Sequence, residues 1–574
     1  MSGPKERVGR RPAAVAVVVA ATTLGCAADE SQPIEQAAPL PCRDPVALQA
    51  PACDSGVYDR SYLIPGPGES DHDADLAAKA RRYDRCFHAV TAVTTGINTE
   101  LTVADAASRQ LVDSFVTEAD GWDFDEHAGV DLLDAVTGWH KVAGAYGGVG
   151  VAADAYRYAT LRDQGASCSE LERAREHLLA DLDGLHLATA ITGVEGIIAR
   201  GFIRTDVAGP GQTQETTPLF DADGNPLPAE KNNGTWREDN SGGQFPHYIW
   251  EDSCSRDQLV GWAAGYAAAW EAMRGDDSFP MELKSRLQAD AAAIARSLSA
   301  VGEAGYDLEI RDADGRVTYH GYLNENSMDR VYLDGAGNGG MALMALGIVA
   351  AFAYVAEDPD LDAYLHGTLL RDRELHLLAR DSMIFVDIGL QSNFSMYNMV
   401  FLGGWLAHRY LCDDDARAVV RQAVDTSLYE VAGRERQPSE QKQTLYDFVY
   451  VSAAAADTAF RPAGQALDDA AVDRGLETLH EFPEPPFWNV AVENCDEQEI
   501  DSGDCIGIDG TPIHVLGYVG RNDELVAEEP IPMRIRPPSN YYWRSNPYGV
   551  NGTGDGTTIY PGVDFRFAYW MGRY

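Results

Sequence analysis

Beyond Asp71, apolar residues recur with helical period in twelve segments: 72–96, 104–118, 131–163, 169–192, 255–275, 281–302, 336–356, 359–381, 393–412, 413–431, 440–460 and 466–481. They pair as six helical hairpins whose two members differ in kind. First members are apolar nearly all round and rich in Gly, Ala and aromatics, as in Gly261-Trp262-Ala263-Ala264-Gly265-Tyr266, Gly340 to Tyr354, Phe401-Leu402-Gly403-Gly404-Trp405 and Ala453-Ala454-Ala455-Ala456. Second members, such as Ser169 to Leu187 and Met281 to Leu298, carry one charged face. A helix apolar on every side must be buried, and an amphipathic one covers it from outside. The pattern therefore predicts a mainly α protein, with an inner ring wrapped by an outer ring in a closed (α/α)6 toroid over residues 71–481. Residues 203–250 interrupt it as a long loop insertion, dense in Gly, Pro, Asn and Asp and carrying Phe220, Trp236, Phe245, Tyr248 and Trp250. Residues 482–574 read as a β and loop extension, ending in a short helix from Val563 packed on the toroid.

The N-terminus changes the picture of where such a body resides. Lys5, Arg7, Arg10 and Arg11 precede an apolar run from Ala13 to Leu24, too short to span a bilayer comfortably, so residues 1–25 read as a signal peptide. Thr23-Leu24-Gly25-Cys26 resembles a bacterial lipobox, with Cys26 as the acylated residue; a plain signal peptide with an incidental Cys, and a weak twin-arginine signal at Arg10-Arg11, are the alternatives. Residues 26–70 are Pro-rich and acidic, a tether holding the body off a membrane. No later stretch is read as approaching the ~18 to 20 continuous apolar residues that a membrane span needs, so the membrane partner is reached through the N-terminal lipid only. The implied location is the outer membrane or cell surface of a Gram-negative bacterium. Removing Cys26 from nine cysteines leaves eight, an even number suited to disulfides outside the cytoplasm. The local pairs Cys42 with Cys53 and Cys495 with Cys505 are expected, and the pairing of Cys86, Cys168, Cys254 and Cys412 is left open. The net charge of −44 argues against a nucleic-acid partner.

Two stretches concentrate chemistry. In Tyr248-Ile249-Trp250-Glu251-Asp252-Ser253-Cys254-Ser255-Arg256-Asp257-Gln258, Ser255 with Gln258 reads as a capping box and Asp257 suits the helix dipole. Arg256 is a cation at the positive end of a helix, to be paired with Glu251 or Asp252 or to meet an anionic ligand. The second stretch holds His320, Tyr322, Asn324, Glu325, Asn326, Asp329, Arg330, Tyr332, Asp334 and Asn338, just before an inner helix; turn and cap residues are the plainer account, with Asp334 or Asn338 as N-cap. Asn393, Tyr397, Asn398, Trp139 and His140 add polar and aromatic groups at other helix mouths. Between Ile531 and Val550 three arginines, including Arg544, stand without an acid, beside Trp543. Gly335 to Gly340 matches GxGxxG without the βαβ setting a dinucleotide needs, and Ser439 to Lys442 matches SxxK without its partner motifs. No Cys/His cluster has zinc-ligand spacing, so neither a metal nor a cofactor is indicated.

The alternation of helices, with Ser255-Arg256-Asp257-Gln258-Leu259-Val260-Gly261-Trp262 opening a Gly/Ala-rich inner helix, resembles the six-hairpin (α/α)6 superfamily of glycoside hydrolases and polysaccharide lyases. The resemblance implies a substrate funnel at one end of the inner helices and a polysaccharide or oligosaccharide substrate. The first expectation is hydrolysis by two carboxylates, one from Asp252 or Asp257 and one from Asp329 or Asp334. Tyr248, Trp250, Tyr332 and Trp543 would stack on sugar rings, Arg256 and Arg544 would hold polar or anionic groups, and Asn326, Arg330, Asn338 and Tyr397 would bind hydroxyls. The second is β-elimination on a uronic-acid polymer, with Tyr332, His320, Asn326 and Arg330 in the catalytic roles. The third is a glycan-binding lipoprotein without catalysis.

Overall fold

The computed structural model describes residues 48–56, 63–207, 213–225, 227, 234–383, 386–454 and 468–574, so the signal peptide, Cys26, most of the tether and Cys42 lie outside the described residues. The longer helices in chain order are α1 (Ala74–Cys86), α2 (Ala106–Glu118), α3 (Gly144–Asp163), α4 (Cys168–Ala190), α5 (Arg256–Met273), α6 (Met281–Ser299) and α7 (Gly339–Ala356). They continue with α8 (Leu375–Asp381), α9 (Phe394–Tyr410), α10 (Asp414–Gln422), α11 (Thr444–Ala454), α12 (Asp469–Glu481) and α13 (Val563–Arg573). The protein is mainly helical. The all-round apolar segments α3, α5, α7, α9 and α11, together with α13, are buried along nearly all of their length. Each packs on the next, in the order α3, α5, α7, α9, α11, α13, and α13 packs back on α3. The amphipathic helices lie against them: α4 on α3, α6 on α7, α8 on α7, α10 on α9 and α12 on α11.

Small residues set the spacing of the buried helices. A β-carbon on Gly148 of α3 would collide with the backbone carbonyl of Gly261 in α5, and one on Gly347 of α7 would collide with that of Gly403 in α9. Interhelical distance follows the side chains at the crossing, so glycine pairs bring these backbones into contact. Among the described residues α7 is the one helix long and apolar enough to cross a membrane, contrary to the reading that none approaches that length, and 89% of it is buried inside the fold. Its hydrophobicity serves a core position.

Four expected helices differ in detail. Segment 131–163 enters α3 through a short helix and two strands, because the β-branched and aromatic run Val136-Thr137-Gly138-Trp139 pairs with Leu101–Val103. Segment 359–381 breaks at Glu374, whose φ of 51° is left-handed. Segments 72–96 and 413–431 finish as π-helical turns at Phe87–Thr91 and Ala423–Tyr429. The segment at Val563 is no peripheral appendage: every residue of α13 is buried.

Short sheets cap the helices. One contains β1 (Leu101–Val103), β2 (Val136–Trp139), β11 (Phe487–Val492) and β15 (Gly552–Tyr560) in the order β11-β15-β1-β2, and so joins the C-terminal segment to an early one. Another contains β3 (Val142–Ala143), β4 (Gly201–Arg204), β5 (Trp236–Glu238) and β6 (Tyr248–Glu251) in the order β3-β4-β6-β5. The 203–250 insertion thus supplies most of a sheet. Hairpins β7 (Glu309–Arg311) with β8 (Val317–Tyr322) and β9 (Ser327–Met328) with β10 (Val331–Tyr332) precede α7. A three-stranded sheet of β12 (Asp504–Ile506), β13 (Pro512–Tyr518) and β14 (Leu525–Ala527) completes the tail. Cys495 bonds Cys505 as expected. The expected Cys42–Cys53 pair is corrected: Cys53 bonds Cys168. Hydrogen bonds from Asp54 N to Ala166 O (2.8 Å) and Gly56 N to Gly165 O (2.9 Å) lay this segment against the start of α4. Cys86 and Cys254 are free and buried.

Candidate functional site

The site begins where β6 turns into α5. Ser253 takes a positive φ of 73°, and the turn is held from behind by Asp252, which accepts from Arg237 Nε (2.8 Å), Ser253 N (3.0 Å) and Ala313 N (3.1 Å). Ser255 and Gln258 do not form the expected capping box. The Ser255 hydroxyl instead donates to Asp257, and Gln258 bridges Asp257 (3.1 Å) and the Ala145 amide (2.8 Å) at the start of α3. Arg200, just before β4, donates to Ser255 Oγ (2.6 Å) and to Ser253 O (3.2 Å). Burial alone would raise the Asp257 carboxyl, but Arg200, the Ser255 hydroxyl and Arg544 together hold it below its ordinary value.

Two cavities meet at this point, since Arg200 and Asp257 line both. The first, of about 720 Å³, is walled by Glu100, Trp139, His140, Lys141, Tyr146, Trp236, Gln258, Asn540 and Arg544 among others. Arg544 lies 5.1 Å from the centre of the Tyr146 ring, and Asn540 donates to Glu100 (2.7 Å). Burial pushes the Tyr146 hydroxyl up to about 12, with Arg544 opposing it. The second cavity, of about 550 Å³, combines Arg256, His320, Asp329, Asn338, Asn393 and Arg521 with an apolar wall of Met328, Met341, Met396, Met399 and Ile388. Asn338 caps α7 by accepting from Met341 N (3.2 Å) and donates to Ser327 O (3.1 Å).

The partner of Arg256 is neither Glu251, which pairs with Lys141, nor Asp252, which pairs with Arg237, but Asp329. Arg256 donates to Asp329 Oδ1 and O (both 3.3 Å) and to Tyr322 O (3.2 Å), clamping the β9–β10 turn beside the helix. Asp329 sits at a φ of 58° in that turn, with His320 Nδ1 3.5 Å from its Oδ1. Burial opposes ionisation of Asp329, but the Arg256 guanidinium, with Arg330, outweighs it and keeps the carboxyl below its usual value. Burial, with Arg256 nearby, holds the His320 ring below its usual value as well, so the imidazole is neutral at pH 7.

Of the residues read from the sequence, Asp257, Arg256, Asp329, Asn338 and Arg544 line these cavities, as do His320, Trp139, His140, Asn393, Trp236, Ser255 and Gln258. The others lie elsewhere. Asp252 is buried in its pair with Arg237. Asp334 accepts from Tyr306, and Tyr332 stacks on Tyr306 while donating to Glu309 (2.7 Å). Trp250 and Trp543 are fully buried, donating to Glu238 O (2.9 Å) and Asp564 O (3.0 Å). Tyr248 reaches Thr94 O (3.4 Å), Tyr397 is buried, and Asn326 is tied into its own loop through Asn324 (3.1 Å). Arg330 stacks on Tyr319 (4.4 Å) outside the cavities. Arg200, Lys141, Glu100, Tyr146 and Arg521 are cavity residues that the sequence reading did not single out; each stands alone in its segment, and strand pairing and helix packing bring them together.

No protein-family model, curated protein or solved structure matches the chain.

Proposed function

We propose that this protein is a carbohydrate-active enzyme cleaving a uronic-acid polymer by β-elimination, built on an (α/α)6 toroid and exported as a lipid-anchored protein. The observation that carries it is a reversal of charge. Lys141, Arg200, Arg256, Arg521 and Arg544 line the joined cavities against Glu100, Asp257 and Asp329, with Glu251 behind Lys141 and Arg200, in a chain with 45 basic and 89 acidic residues. A cationic basin on so acidic a molecule selects an anionic ligand by charge. Trp236 and Tyr146, both half-buried, supply ring faces of the kind a sugar stacks on. The cyclic order of buried helices, with amphipathic ones outside, supports the toroid, with α13 in the sixth inner place.

In this reading the cations neutralise the uronate carboxylate and so acidify the proton next to it. His320, neutral and with Nδ1 3.5 Å from Asp329, takes that proton; the freed C–H pair forms the double bond, and the leaving sugar oxygen departs with its bond pair and takes a proton from water. Asp257 fixes Ser255 and Gln258 and through them the placing of Arg200. Hydrolysis is the second reading, favoured by one observation: Asp257 and Asp329 share the second cavity, one from each expected pair. It needs a protonated acid, and both of these carboxyls are held below their ordinary value.

The test incubates the protein with polygalacturonate, alginate and glucuronate-containing glycans. Elimination yields near-ultraviolet absorbance from a conjugated double bond, and His320→Ala should lower its rate by about 10²- to 10⁴-fold. Reducing ends without absorbance would transfer the reading to hydrolysis. Binding with no product would leave only the glycan-binding reading.

A further inference from the structure

The two joined cavities are lined by different chemistry. The first sets half-buried rings, Trp236 and Tyr146, among amides and charges, and has no methionine in its wall. The second gathers Met328, Met341, Met396 and Met399, four of the chain's eleven methionines, together with Ile388. Met328 ends β9, Met341 opens α7, Met396 and Met399 lie one turn apart at the start of α9, and Ile388 stands in the loop ahead of α9. Met341 and Met399 are buried, and the Met341 sulfur lies 3.8 Å from Arg256 Nη1, so packing accounts for these two. It does not account for Met328 and Met396, which are half-buried, or for Ile388, which is 58% exposed. An apolar wall left open to a cavity is completed by an apolar part of a ligand.

The same cavity is charged for an anion. Arg256 and Arg200 line it, and Arg521 joins them from the β13–β14 hairpin, where no carboxylate among the described residues pairs with it. Gln391 donates to Val519 O (2.6 Å) and Gly520 O (3.1 Å), tying the loop of Ile388 to that hairpin and holding Ile388 and Arg521 at one rim. A bare uronate offers the apolar wall little. Its hydroxyls need hydrogen-bond partners that thioether and alkyl groups supply poorly, and its C–H faces suit the rings of the first cavity. A methyl ester on the uronate would bring a methyl group but remove the charge that the arginines complement. An acetyl ester on a ring hydroxyl brings the methyl and keeps the carboxylate. Asn393 accepts from Ser395 N (3.3 Å) through its amide oxygen, which leaves its amide N–H groups as donors for an ester carbonyl.

We propose that the second cavity selects an O-acetylated uronate, its acetyl methyl against Met328, Met396 and Ile388 and its carboxylate toward Arg256 and Arg521. The inference rests on the elimination reading and narrows its substrate: His320 lines the same cavity, so the acetylated sugar is the one that loses its proton. The acetyl group takes no part in the bond changes. Methionine suits it, because an unbranched, polarisable side chain adapts to a small group carried on either of two hydroxyls.

The experiment compares polygalacturonate, alginate and a glucuronate-containing glycan, each in O-acetylated and unacetylated form, by near-ultraviolet absorbance. For the polymer that is cleaved, kcat/KM of the acetylated form should exceed that of the unacetylated form about tenfold or more. Met396→Gln, which keeps the length of the side chain and makes it polar, should shrink that ratio. The comparison on the unaltered chain stands whether or not the variant folds. Calorimetric titration with acetylated and unacetylated oligosaccharides of the same polymers separates this inference from the reading beneath it. Equal or faster cleavage of the unacetylated polymer overturns the inference and leaves elimination standing, as does a ratio that Met396→Gln leaves intact. Tighter binding of the acetylated form without absorbance supports the inference and removes elimination. A chain that neither cleaves nor binds either form loses both.

Discussion

A single carboxyl shows how burial turns into pH dependence. Asp447 of α11 is completely buried, and burial pushes it up to about 7 although Tyr429 and Arg474 oppose the shift. In the unfolded chain the same group titrates near ~3.9. Its contribution is therefore fully present below pH ~4 and is lost as the pH rises through ~7. Denaturation measured across that window should show stability falling with pH, and Asp447→Asn should flatten the fall, because the amide oxygen still accepts from Tyr429. Legibility at this scale followed the same logic. Arg256 stood out as a cation at a helix N-terminus, but nearness in sequence pointed to Glu251 or Asp252 as its partner, and the hairpin before α7 brings Asp329 to it instead. Trp250 and Trp543 looked like sugar platforms because an aromatic in a polar segment carries no sign of which way it faces; both face inward. Arg200 carried no signal, since its role depends on strand β4 meeting the turn into α5.

At the scale of elements, the periodicity located the helices and their order but not their ends. The Ser255–Gln258 capping box is a local motif overruled by contacts with Arg200 and α3. The strand entry into α3 was hidden because Val136, Thr137 and Trp139, close to a helix, extend its apolar pattern. What the composition did reveal is the need for small residues where buried helices cross. Gly148 tests it: Gly148→Val forces a side chain into the Gly261 backbone and should destabilise the protein by about 1–3 kcal/mol or more, measured by denaturant unfolding. Gly433, whose added β-carbon would meet nothing, has the wrong φ for such a control (81°), whereas Gly121 faces open space without that strain and should tolerate Ala.

For the whole molecule, the alternation of helix types carried the mainly α class, while long-range closure was not legible. Cys53 pairs with a cysteine 115 positions away, and proximity in sequence favoured Cys42 instead. That bond closes a long loop, so a Cys53→Ser, Cys168→Ser double variant should lose about 2–5 kcal/mol of stability in denaturant titrations. The buried position of α13 has a further consequence. Its neighbours α3 and α11 are separated from it by very different lengths of chain, and the gap between them stays lined with exposed greasy side chains until Phe565, Phe567 and Met571 arrive. Such distant pairing slows folding. An unfinished array of buried helices leaves that apolar surface exposed, so refolding yield should fall as chain concentration rises.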